Sequence, residues 1–198
     1  ASAAGGRGLD VLCIYYPEWH VYPEGEAIFG KGRTEWDYVD SAIPRFKGHE
    51  QPLRLVAGHP DDSNPSDVAG EIDLAADAGI DAVLVVDLPL EEREELLSRL
   101  RPRGIGFVPL IAPNTPVARV LESERGIGDS FLYVITVKGT TGARTELPPD
   151  LTGRLDAIRA AAHLPIAAGF GISTRAQADV VSRHADGFVV GSALVKRL

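Results

Sequence analysis

Six apolar runs of the kind found in buried parallel strands punctuate this chain, and their spacing leaves few folds open. They lie at Asp10–Tyr16, Asp81–Pro89, Gly106–Pro113, Phe131–Val137, Pro165–Gly171 and Gly187–Ala193, each rich in Val, Ile, Leu or Phe. From about Ser66 onward helical patterns fill the intervals. These are Pro65–Ala78, Leu90–Arg101, Pro116–Glu124, Asp150–His163 and Thr174–His184, with the tail from Ser192 starting one more. Ser63-Asn64-Pro65 and Ser173-Thr174 supply helix starts, and Gly79 and Gly104 supply stops. Strict alternation at this spacing means βα units with right-handed crossovers. The expected fold class is therefore α/β, a (βα) barrel-like parallel sheet.

Six strands, or seven if Pro52–Gly58 joins, leave that sheet incomplete relative to a TIM barrel. Such a piece closes into a smaller barrel, stays open with two edges, or completes itself against a second copy, because unpaired edges invite pairing. A homodimer or a distorted small barrel is the expectation. No repeat or low-complexity linker interrupts residues 1–198, so a single domain is expected. Pro17–Gln51 differs in kind: rich in Trp, Tyr, Glu, Gly and Pro and without periodicity, it reads as a long loop of functional type.

The glycines near the C-terminus carry the first chemical signal. Gly169 and Gly171 follow one apolar run, and Gly191 with Ser192 follows the next. Glycine lets a ligand approach the backbone closely, and a Gly-Ser pair opening a helix offers free N–H groups to an anion. The loops after the last strands of a parallel barrel are a common place for phosphate. A phosphorylated small molecule is thus the expected ligand. A net charge of −8 and a pI near 5.1 speak against nucleic acid, which needs clustered Lys and Arg.

No apolar run approaches the ~20 residues of a membrane helix, and ASAAGGRG lacks the apolar centre of a signal peptide, so a cytoplasmic protein is expected. The absence of any Met points to a processed, trimmed or artificial sequence. Cys13, the single cysteine, sits in an apolar run and reads as a small buried hydrophobe. His20, His49, His59, His163 and His184 show no metal-ligand pairing, and no metal or cofactor is expected.

From Ala78 to Leu198 the sequence resembles the alpha subunit of tryptophan synthase. The pieces AGIDAVLVVDLPLEE, GFVPLIAPNTP, FLYVITVKGTTGAR, LPIAAGFGIST and ADGFVVGSALVK carry the likeness, in order and at suitable spacing. That family is a (βα)8 barrel which cleaves indole-3-glycerol phosphate to indole and glyceraldehyde 3-phosphate by a retro-aldol reaction. The resemblance covers its last five βα units and implies substrate phosphate on Gly142, Gly171, Gly191 and Ser192. It also implies Tyr133 facing the indole cavity, Leu84 in its apolar wall, Thr141 in the mobile GTTGAR loop, and Asp87 close to the reacting region. The family's glutamate in an IELG-type strand and its aspartate in an SDPxADGP-type loop have no counterparts here. If active, the chain is a carbon–carbon lyase of tryptophan biosynthesis, but without those carboxylates binding can survive while the chemistry is weak or lost.

Roughly residues 10–82 are similar instead to WbsX-like proteins, glycan-associated barrels related to family 99 glycosidases, through YYPEWH, GKGRTEWDYV and FKGHEQP. The carboxylates of such a glycosidase would lie beyond the point where the likeness changes. The change falls near residues 78–89, where both families place a helix end, a glycine and a buried strand. A chimera or a designed protein is the reading this suggests. Glu18, ending the first strand, could pair with Asp87 as a substitute acid/base couple if one were desolvated. Three readings stay open: a phosphate-ester-binding fragment of the synthase type, a glycan-processing enzyme using the N-terminal loop, and a scaffold without activity. The resemblance implies docking on a tryptophan synthase beta subunit, of which only part of the surface is present, so that complex is not expected.

Overall fold

Pro109 decides how the sheet is laid out. It lies in the middle of the third apolar run and has no N–H to give to a ladder. The computed structural model describes residues 10–17, 19–53, 55–56, 58–136, 147–169 and 171–197. In it the expected strand Gly106–Pro113 is two strands, β3 (Gly106–Phe107) and β4 (Leu110–Ile111), belonging to different sheets. Val108 N–H donates to the Val83 carbonyl at 2.9 Å, while the Pro109 carbonyl accepts from Tyr133 N–H at 2.9 Å on the other side. The backbone thus turns from one neighbour to the next at the residue that can only accept.

The chain divides into two compact units, Ala1–Ile14 with Ile80–Leu198, and Tyr15–Gly79. In the first, β1 (Leu12–Tyr15), β2 (Ala82–Val85) and β3 form one sheet in that order. A second sheet runs β4, β5 (Leu132–Ile135), β6 (Ile166–Gly169), β7 (Gly187–Phe188). The ladders β2·β3, β4·β5, β5·β6 and β6·β7 are all parallel. Between the strands run α4 (Arg93–Leu100), α5 (Val120–Glu124), α6 (Leu151–Ala161) and α7 (Arg175–Val181), and α8 (Ser192–Val195) follows β7. The α/β class with an incomplete parallel barrel is what the alternation of patterns predicts.

Register explains where the core lies. Ile111, Val134, Ala168 and Phe188 form one row across the second sheet, and Leu110, Tyr133, Ala167 and Gly187 the other. Ile111, Val134 and Ala168 are completely buried, as are Val120, Leu155, Ile158 and Val181 on the helices above them. Burying each such aliphatic side chain contributes roughly 1.5–3 kcal/mol. On the opposite face Leu110, Ile135 and Ala167 are only half-buried. The helix-covered side therefore carries most of the stability.

In the second unit the stretch expected as an irregular loop, Pro17–Gln51, contains two short helices, α1 (Pro23–Phe29) and α2 (Trp36–Ser41). Proline in the first turn with Glu24 and Glu26 beside it is a local start signal that outweighs the missing periodicity. Helix α3 (Pro65–Asp77) starts where expected, with the Asn64 side chain accepting from Ser66 N–H at 3.0 Å, and Gly79 at φ 77° follows its end. The described residues of Pro52–Gly58 are in no strand, and Leu53 and Val56 are exposed. Among the described residues of that run, then, the expected additional strand is not seen.

Candidate functional site

Strands β6 and β7 are parallel neighbours, so the loops that leave their C-terminal ends emerge side by side. Gly171 lies just after β6 with φ 80°, a conformation that side chains with a Cβ rarely adopt. The next residues are held by a capping box. Thr174 Oγ1 accepts from Gln177 N–H at 3.2 Å, and Gln177 Oε1 accepts from the N–H groups of Ser173 and Thr174 at 2.8 and 3.0 Å. Buried Ile172 and Gln177 anchor this loop from below. After β7, Val189 N–H returns to the Ala168 carbonyl at 2.8 Å and Gly191 opens α8, whose first helical residue is Ser192. At Gly191 φ is −107° and a Cβ would meet nothing within 4 Å. Of the four positions that the resemblance gives to phosphate, Gly171, Gly191 and Ser192 thus sit on two neighbouring loops, and Gly142, like Thr141, lies outside the described residues.

Leu84, Val108 and Tyr133 form one buried cluster, with Val86, Leu110 and Ile135 packed on it. Tyr133 also crosses β6: a methyl group at Gly169 would overlap its phenol, so the glycine is what lets the ring lie against the strand. Burial pushes the phenol of Tyr133 up from its ordinary pKa, keeping it neutral. Thr136, unnoticed in the sequence, ties the end of β5 to β6, its Oγ1 donating to the Gly169 carbonyl at 2.9 Å. Its place just after an apolar strand gave no hint of this.

Asp87 follows β2 with φ 55°, the single non-glycine residue at positive φ among those described. It is exposed, and it lines a cavity of about 390 Å³ together with Pro89, Glu91, Arg93, Asn114 and Arg119; neither Leu84 nor Tyr133 lines that cavity. Asp87 and the Leu84–Tyr133 cluster therefore address different spaces. Glu18, the other half of the acid/base couple, lies outside the described residues. Arg93 is buried: its guanidinium donates to the carbonyls of Glu122, Ser123 and Arg125 at 3.0, 2.7 and 2.9 Å. Arg119 meets Glu91 at 2.9 Å across the same cavity. Together these contacts hold the loop that carries Asp87.

Among the described residues no three His, Cys, Asp or Glu side chains gather as a metal site, and no helix is long and apolar enough to cross a membrane. The second unit has an aromatic cluster. Trp19 and Trp36 have ring centroids 4.2 Å apart, and His59 stacks on Trp36 at 4.8 Å. The indole N–H of Trp36 donates to the Pro60 carbonyl at 3.0 Å.

Comparison with known proteins assigns the two parts of the chain differently. The tryptophan synthase alpha chain family matches residues 68–198, and the glycosyltransferase WbsX family matches residues 11–86. The tryptophan synthase alpha chains of Citrifermentans bemidjiense and of Geobacter sp. strain M21 are each 48% identical over 122 residues, which is 62% of this chain and 45% of theirs. A solved chain of the tryptophan synthase α2β2 complex from Pyrococcus furiosus superposes with a TM-score of 0.57 at 38% identity, over 65% of this chain and 52% of that one. The match spans less than half the length of these curated relatives.

Proposed function

Since the chain belongs to the tryptophan synthase alpha chain family through residues 68–198, we propose that it binds a phosphate ester of the indole-3-glycerol phosphate type. The carrying observation is that the neighbouring parallel strands β6 and β7 end in Gly171 and in Gly191-Ser192. Backbone N–H groups of these loops, joined by that of Gly142, would donate to the oxygens of the phosphate dianion. The indole ring would lie against Tyr133 and Leu84, which the buried cluster holds together.

Cleavage of the carbon–carbon bond needs a proton delivered to the indole ring carbon, and protons taken from the indole nitrogen and the glycerol hydroxyl. The sequence has neither the IELG-type glutamate nor the ADGP-type aspartate to do this. Asp87 is an exposed carboxylate on the wall of the cavity that Arg93 and Arg119 also line. The lyase activity is accordingly weak or lost, and a complex with a tryptophan synthase beta subunit does not form.

Millimolar inorganic phosphate or glycerol 3-phosphate should raise the melting temperature by mass action. Gly191→Asp tests the site, because the Cβ position there is open; it should abolish the shift by placing a negative charge in the cup, and Gly191→Ala, which makes the same demand on the backbone at φ −107° and ψ −84° without the charge, is its control. An unchanged shift in Gly191→Asp would sink the reading. Indole release, followed colorimetrically, should be far below that of a complete alpha chain, since each lost acid/base group removes about 10²–10⁴-fold.

A second reading, glycan binding by the Tyr15–Gly79 unit, is favoured by the Trp19–Trp36 pair beside the carboxylates of the same unit. Quenching of tryptophan emission by oligosaccharides, and not by phosphate esters, would select it.

A further inference from the structure

Tyr15 ends β1, and its phenol oxygen lies 2.5 Å from Asp62 Oδ1 and 2.7 Å from Glu71 Oε2. A phenol has one proton and donates once. If both carboxylates were ionised, one of them would face an oxygen lone pair at hydrogen-bond distance with nothing between. The arrangement closes only if a carboxyl carries the missing proton. We propose that Glu71 is the protonated member, donating to Tyr15 while Tyr15 donates to Asp62, and that this shared proton is a pH-sensitive latch on the aromatic segment of the Tyr15–Gly79 unit.

The geometry selects Glu71 rather than Asp62. Asp62 accepts a second hydrogen bond, from Trp19 N–H to Oδ2 at 2.9 Å, and hydrogen bonds to a carboxylate favour its charged form. Glu71, on α3, is half-buried, and among the described residues the charged groups acting on it are Asp62 from the preceding loop and Asp67 one turn back along the helix, with no cation beside them. Burial first, and then these two carboxylates, push its pKa up, against the pull of the Tyr15 hydrogen bond. Further out, Asp61 is occupied by Ser63 and faces His20.

Opening follows from the chemistry. Glu71 is protonated more readily in the folded unit than in the unfolded chain, so the latch is fully closed below the ordinary glutamate pKa. It is lost as pH rises through the raised value, its closed-to-open ratio falling about tenfold per pH unit above that value. Ionised Glu71 competes with Asp62 for the one phenolic proton. The link from Tyr15 through Asp62 to Trp19 then slackens, and with it the tilted ring contact of Trp19 with Trp36.

The chain has two tryptophans, both in this unit, so its emission reports the latch without interference from the rest. His59 is stacked on Trp36 and lies 3.4 Å from Asp40, which makes the Glu71 variant the deciding control. Wild-type emission should shift as pH rises above the ordinary glutamate range. Glu71→Gln keeps a donor and loses the titration, so that shift should vanish. Carbon-13 NMR of the side-chain carboxyls should place the Glu71 midpoint above an ordinary glutamate, and Asp62→Asn should lower it by removing the facing charge. A Glu71 midpoint at or below the ordinary value, a midpoint unmoved by Asp62→Asn, or a wild-type emission shift retained in Glu71→Gln each overturns the latch.

Discussion

Gly169 and Tyr133 are coupled more tightly than their sequence positions suggest. The ring of Tyr133 occupies the space that any side chain at 169 would need. Gly169→Ala should therefore destabilise the chain by about 1–3 kcal/mol in urea unfolding, the usual cost of forcing a methyl group into a filled site. Tyr133→Leu should relieve much of that cost, so the double variant should be less destabilised than the two single changes added together. Strict additivity would show that the ring moves aside freely. In sequence, GFG suggests a glycine needed for phosphate; at residue 169 the first glycine answers to the tyrosine next door. A contact between side chains on neighbouring strands cannot be read before the register is known. The same limit hid Arg93, whose three carbonyl partners lie about thirty residues away, and Tyr15, whose carboxylates come from a loop and a helix far along the chain.

Helix α7 shows what a single element contributes to a site. Gln177 receives the N–H groups of Ser173 and Thr174 in the turn before the helix, and it is buried. Gln177→Ala should lower stability by about 1–2 kcal/mol, as expected for loss of a cap. If the phosphate reading is right, it should also weaken phosphate-induced stabilisation in thermal melts, because the loop loses its fixed form. A stability loss with phosphate response unchanged would separate the cap from the site. Elements of this kind were legible: the Ser173-Thr174 start, the Asn64-Pro65 start and the strands with strong apolar runs appear where the pattern puts them. The short helices α1 and α2 were not, since six or seven residues make too few turns for periodicity to show. The two loops carrying Gly171 and Gly191 were legible because glycine after a strand has a backbone reason. The cavity beside Asp87 was not, since buried Arg93 gives it its wall.

At the scale of the whole molecule the first unit holds two sheets, one of which, β4 to β7, has one face sealed by helices and the other half-covered. Its edge strands expose apolar side chains: Leu12 and Ile14 on β1, Phe188 on β7, with Val189 and Val190 just beyond. Such edges pair readily with another chain. We propose a homodimer formed through them, which sedimentation should reveal as mass rising with concentration; a monomer at all concentrations would count against it.

The break of the sheet at Pro109 separates two hydrogen-bond ladders that differ greatly in what lies over them. One includes a helix-covered row of completely buried side chains, Ile111, Val134 and Ala168; the other ends in an edge strand, β1, whose side chains are exposed or half-buried. Proline also removes the amide that would have relayed protection across the seam. The chain should therefore have an internal order of opening: in deuterium exchange, the amides of Val134 and Ala168 should persist longest, while those of Val83 and Phe107 should exchange through an earlier, smaller excursion.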